Sequence, residues 1–243
     1  EAEELRRVVP VVRELAGTGA LISVDTMRAR VAAESLDVGA HIINDVSAGQ
    51  SDPTMLSVAA ESGAPIVLMH WRGYLDRADA TFHYDDVVAE VIAELGDRID
   101  EAVSAGVDPA DIIVDPGLGF SKNAEHNWQL LASLRDLVRL GHPVLVGTSR
   151  KRFLAAIRED RGVESSPLLA DPATAAVTAI SAQMGAWGVR VHEVGVSRDA
   201  VDVAAAWNAG ESYVGGANAT GSYRNAATGT GTVTSTAMGT ERN

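Results

Sequence analysis

Asp115-Pro116-Gly117-Leu118-Gly119-Phe120 follows the apolar run Ile112-Ile113-Val114, so a carboxylate stands where proline and glycine turn the chain sharply. Such a carboxylate accepts two parallel N–H bonds, the pattern shown by the amino-pyrimidine edge of a flat heterocycle, and Phe120 supplies an apolar wall. It also reads as a turn group that caps the next helix. Gly147-Thr148-Ser149-Arg150-Lys151-Arg152-Phe153 sets three cations at the start of a helix, where they oppose the macrodipole. An anionic or electron-rich ligand is one reason for them, and solvation is the other; Lys151 is the functional choice. Arg190-Val191-His192 reads as strand, with Arg190 and His192 on one face, able to hold one anion together or to be satisfied by neighbouring acids. Asp25 and Asn44 each end an apolar run and can read ring nitrogens or act as caps. Met69-His70-Trp71 offers an apolar side to the same pocket, although Met69 is equally at home in a core.

These groups need elements that bring them together. Leu5, Val8, Val9, Val12 and Leu15 fall at helical spacing despite Pro10, and Gly17 and Gly19 stop that helix. A unit of short apolar strand and amphipathic helix then recurs. Strands are expected at 20–24, 41–44, 65–69, 111–114, 143–146 and 188–191. Helices are expected near 27–38, 53–61, 84–105, 127–139, 150–158 and 198–207, with a further one at 172–184. Alternation of this kind predicts a parallel sheet with helices outside, either doubly wound or closed as a barrel. Chemistry-bearing residues at nearly every strand end favour the barrel, where those ends converge on one face.

Composition narrows the function. The chain has 243 residues, 46% of them hydrophobic, which suits one large domain over residues 1–209. From about Ala209 the sequence turns to Gly, Ala, Thr, Asn and Ser without period, and 210–243 reads as a low-complexity, disordered tail. With no cysteine, chemistry falls to carboxylates, amides, His, Lys and Arg. A net charge of -13 argues against nucleic-acid binding. No stretch suits a membrane span or signal peptide, so a cytoplasmic location is expected.

Taken in chain order, Ser23-Val24-Asp25-Thr26, Ile43-Asn44-Asp45-Val46-Ser47, Leu68-Met69-His70, Asp115 through Phe120, Gly147 through Phe153 and Arg190-Val191-His192 resemble the dihydropteroate synthases. The resemblance implies an α/β fold, the TIM (β/α)8 barrel, with about six of eight strands present because the family's two opening strand motifs do not occur here. It implies that Asp25, Asn44, Asp115 and Lys151 bind the pterin and that Met69 and Phe120 line its slot. Val46 and Gly147 belong to the same substrate-binding set. Arg190 and His192 would hold the diphosphate, and Ser149 with Lys151 would border the 4-aminobenzoate site, which is also the sulfonamide site. Lys151, Arg190 and His192 would carry catalysis. Mg²⁺ is implied with the diphosphate, its expected protein ligand lying in the missing portion, so no metal ligand is named in this chain. A homodimer is implied, and this chain by itself is expected not to turn over. Two alternatives stay open: a non-catalytic pterin-binding or interaction protein on the same barrel, and a methyltetrahydrofolate-dependent methyltransferase.

Overall fold

The structure, a computed structural model, describes residues 1–73 and 83–211. Their elements run α1 (Ala2–Ala16), β1 (Ser23–Asp25), α2 (Ala29–Asp37), β2 (Ile42–Asp45), α3 (Met55–Ser62), β3 (Ile66–Met69), α4 (Val87–Ser104), β4 (Ile112–Asp115), α5 (Ala124–Ala132), α6 (Leu134–Val138), β5 (Leu145–Val146), α7 (Arg152–Glu159), α8 (Asp171–Gln183), β6 (Gly188–Val189) and α9 (Val194–Glu211).

Local chemistry sets the helix ends. Asp86 caps α4 by accepting from the Val88 and Ala89 amides, and Asn123 opens α5 in a capping box with His126. The single helix expected at 127–139 is two, α5 and α6, which meet at Ser133. Helix α9 runs to Glu211, two residues past the domain boundary read from composition, and residues 212–243 of the proposed tail lie outside the described residues.

All strand pairs are parallel and sequential: β1 with β2, β2 with β3, β3 with β4, and β5 with β6, while a bridge between Val114 and Val144 joins β4 to the β5 segment. Six strands in chain order, each followed by helix, form one arc. Its main core packs Ile43, Ile66, Leu68, Ile112 and Val114 against Met55, Val91, Leu95 and Leu130 from the helices. A smaller cluster of Val12, Ile22, Val24 and Ala40 fixes α1 at the β1 end, and Phe153, Leu154, Ala170 and Val177 form another under α7. Because every strand points the same way, the polar residues after the strands share one rim.

Candidate functional site

Asp115 ends β4 and is buried. Its Oδ1 accepts the Gly117 amide at 2.7 Å, so one oxygen holds the turn. Glycine is required at 117: it has φ 66°, and a Cβ there would stand 2.2 Å from the His70 carbonyl oxygen. The other oxygen, Oδ2, faces Gly147 across the rim. A Cβ on Gly147 would lie 3.7 Å from that oxygen, 3.8 Å from Lys151 Nζ and 4.0 Å from Arg190 Cβ, so a carboxylate, an ammonium and the base of the Arg190 side chain converge on a residue with no side chain. Burial raises the Asp115 carboxyl above its ordinary range, and Lys151, the Gly117 amide, Lys122 and Arg190 oppose that shift.

Lys151 stands just before α7, donates to the Leu118 carbonyl, and sits 4.9 Å from the centre of the Phe120 ring. Burial lowers its ammonium pKa, against the attraction of Asp115. The same lysine lines a cavity of about 680 Å³ that extends past Asn123 and Asn127 to Phe153 and Ser166. That volume lies in the range of small-ligand sites. The lysine therefore borders two spaces, the Asp115 rim and this cavity.

At the start of the arc Asn44 Nδ2 donates to Asp25 Oδ2 at 3.2 Å, and Arg190 Nη2 reaches the same oxygen at 3.1 Å from the far end. Met69 is buried and in register with Asp115, while Val46, in the loop after β2, is half-buried. Asp45 turns inward instead, where its carboxylate accepts from the Ser47 amide and hydroxyl and the Gly49 amide and so builds the loop.

Two sequence readings change. Strand β6 stops at Val189, because the Arg190 amide makes the last ladder bond to the Val146 carbonyl, where β5 ends before Gly147. Arg190 and His192 therefore take different partners: Arg190 goes to Asp25, while His192 Nδ1 meets Ser149 Oγ at 2.9 Å. Arg150 is tied to Asp171 at the start of α8 by two bonds, 3.1 and 3.0 Å, a structural pair consistent with Lys151 as the functional cation of its run. The second change is that His70 is not an apolar wall. Its buried ring joins Glu94 Oε2 at 3.0 Å through Nε2 and Lys122 Nζ at 2.8 Å through Nδ1.

Lys122 escaped the sequence reading altogether. It follows Ser121 in a polar stretch with no strand end or helical stripe to mark it, and its one signal was its place two residues after Phe120. Its Nζ also donates to the Gly117 and Phe120 carbonyls, both at 3.2 Å. Burial pulls its ammonium down to about 7, against the attraction of Asp115. Behind it, burial and the Lys122 charge push the His70 pKa down. Burial works against the Glu94 charge, but Arg72 and His70 hold its carboxyl low.

The family model described as pterin binding enzyme matches residues 1–192. The chain belongs to that family. Among curated pterin-binding relatives, the dihydropteroate synthase of Mycobacterium leprae is 50% identical over 208 residues, which are 84% of this chain and 72% of the relative. That of Bacillus subtilis is 40% identical over 80% of this chain and 64% of its own length. Among solved structures, a Xanthomonas albilineans dihydropteroate synthase in complex with 7,8-dihydropteroate superposes with a TM-score of 0.76 at 42% identity, covering 86% of this chain and 74% of that one. A Yersinia pestis dihydropteroate synthase with a sulfonamide drug complex gives 0.81 at 37% identity, over 86% and 75%. In this pterin-binding family the six-stranded arc is part of a (β/α)8 barrel, with the rim described above at the carboxyl ends of its strands.

Proposed function

We propose that this chain is a dihydropteroate synthase that takes 6-hydroxymethyl-7,8-dihydropterin diphosphate and 4-aminobenzoate as substrates. The observation that carries this reading is the meeting of Asp115, Lys151 and Arg190 around Gly147. Asp115 Oδ2 offers the acceptor for the amino-pyrimidine edge, and Asn44 with Asp25 offers a second polar edge 3.2 Å apart from each other. Phe120 and Met69 supply apolar walls. The cavity bordered by Lys151 has room for the aromatic amine.

In the reaction, the amine nitrogen forms a bond to the pterin methylene carbon as the carbon–oxygen bond to diphosphate breaks. The electron pair leaves with diphosphate and the nitrogen loses a proton. Lys151, Arg190 and His192 are the groups proposed to act on the departing anion, through charge and hydrogen bonding. Arg190 is exposed on the rim and, among the described residues, paired with half-exposed Asp25, so a diphosphate can compete for it. Holding the two substrates in line supplies the remaining advantage, and no covalent enzyme intermediate is required.

Mg²⁺ was implied with the diphosphate. Among the described residues no group of three or more His, Asp or Glu side chains comes together, so Mg²⁺ is proposed as an ion carried by the diphosphate, with no step routed through it. Self-association and a cytoplasmic setting are part of the same proposal. The first is supported by Ile180, Val203 and Trp207, apolar and exposed on the outer helices α8 and α9. No helix among the described residues is long and apolar enough to cross a membrane.

The test is calorimetric binding of the pterin diphosphate to the purified chain, with product formation assayed for the chain alone and for a version extended upstream by two strand–helix units. Pterin binding is expected from the chain, and turnover from the extended version. Neither binding nor turnover in either protein would overturn the proposal.

A further inference from the structure

Lys122 lies where the pterin reading and the protein core meet, and its surroundings are unusually complete. An ammonium has three N–H donors and no acceptor. The Lys122 ammonium finds three acceptors, His70 Nδ1, Gly117 O and Phe120 O. If Nδ1 accepts from lysine, the His70 ring is neutral and carries its proton on Nε2, which donates to Glu94. Glu94 is held in turn by Arg72, and the Arg72 guanidinium lies 3.9 Å over the Tyr84 ring. The Tyr84 hydroxyl returns to the loop by donating to the Ser121 carbonyl at 3.1 Å, next to Lys122.

The two carbonyls that Lys122 holds belong to the turn whose first residue is Asp115. Gly117 gives its amide to Asp115 Oδ1 and its carbonyl to Lys122. Phe120 gives its carbonyl to Lys122 and its ring to Lys151. Just after Phe120, Ser121 has φ 49°, a left-handed conformation unusual for a residue with a side chain, so this turn needs outside support. Its support is Lys122 and Tyr84.

We propose that Lys122, backed by His70 and Glu94, is a positioning residue for pterin recognition: its ammonium fixes the Asp115-to-Phe120 turn so that the carboxylate and the ring wall face one ligand. This rests on the pterin reading above. It adds a residue that acts on the pterin through Asp115, from a position that also lines the cavity beside Lys151. The groups facing it are His70 and Arg72 after β3, Tyr84 and Glu94 at and before α4, Asp115 on β4 and Lys151 before α7. Losing a proton removes its charge and leaves two donors for three acceptors, so its hold on the two carbonyls weakens and the turn loosens. Pterin affinity then falls on the alkaline side of neutrality as Lys122 deprotonates, and on the acid side as Asp115 takes up a proton.

The experiment is calorimetric titration of the chain with 6-hydroxymethyl-7,8-dihydropterin diphosphate across about pH 6 to 9, on the unaltered protein, Lys122→Met and Asp115→Asn. Lys122→Met should weaken the pterin at neutral pH by about tenfold, the scale of one charged hydrogen bond, and should abolish the alkaline fall seen in the unaltered chain. A structural role alone would lower the melting temperature and leave affinity and its pH profile as they were, which would overturn the proposal. If Lys122→Met does not fold, the unaltered chain decides, since a flat profile on the alkaline side is equally fatal. Binding that Asp115→Asn weakens and Lys122→Met does not overturns this inference alone; no binding by the unaltered chain removes the pterin reading and this one with it.

Discussion

Strands β3 and β4 are buried at all their positions, whereas β1 buries only Val24 and β6 buries neither of its residues fully. The two regions carry different parts of the site. The centre holds Asp115 in a turn fixed by Gly117, Lys122 and His70, all packed over the main core. The margins hold Asp25 and Arg190, which meet across the rim through one pair whose side chains are 47% and 59% exposed. Charge is thus used in two ways: desolvated and fixed where a ring edge must be read, solvated and exchangeable where an anion must arrive and leave.

Core truncation tests the contrast most severely. Leu68→Ala in β3 should cost about 3 kcal/mol in chemical denaturation, because the cavity left beneath the helices cannot collapse, while Val189→Ala in β6 should cost less than about 1 kcal/mol. Equal losses would show that centre and margin are equally packed.

Next in size is the anchor. Asp115→Asn should weaken pterin binding by about 2 to 3 kcal/mol, read by calorimetry, and Asp25→Asn by less than about 1 kcal/mol. The same substitution has an opposite signature in the ligand-free chain. Burial raises the Asp115 carboxyl, so the folded protein keeps its proton to higher pH than the unfolded one. Stability from this group then falls as pH rises through that interval, and at neutral pH its charge is a cost. Asp115→Asn should therefore melt no lower than the unaltered chain at neutral pH and should flatten the pH dependence of the melting temperature. A clear fall in melting temperature would mean that the carboxylate is structural.

Gly147→Ala sharpens the comparison at the junction. Its methyl would meet Asp115, Lys151 and Arg190 at ordinary contact distances, so folding should be unaffected, yet it fills the space on which they converge. Pterin affinity should drop by about tenfold, the effect of a misplaced contact in a small pocket, with denaturation midpoint unchanged. Unchanged affinity would move the ligand elsewhere on the rim.

The smallest effect belongs to the margin. Arg190→Ala should change stability by less than about 1 kcal/mol, since its pair with Asp25 is solvated. It should weaken the diphosphate-bearing pterin more than the free pterin alcohol, and the difference should shrink in high salt. Equal losses for both ligands would contradict a role on the diphosphate.

Much of this could be read from the chain without its coordinates. The alternation of short apolar runs with amphipathic helices determined a parallel α/β arc. All six strands and most helices fall where the periodicity puts them, because apolar spacing is a local property. Asp115, followed by Pro116 and Gly117, announced a carboxylate at a turn for the same reason. What no spacing could state is which distant groups share a neighbour. Arg190 and Asp25 are 165 positions apart, Ser149 and His192 are 43, and Lys122 and His70 are 52. Sequence showed three cations near the start of α7, and only the packing of α8 against that end turned Arg150 to Asp171 and left Lys151 to the rim. It showed His70 beside Met69 as one apolar wall. The alternation of faces after β3 instead sends the histidine inward to Glu94 and Lys122, since a buried ring nitrogen must find a partner that only the folded chain brings within reach.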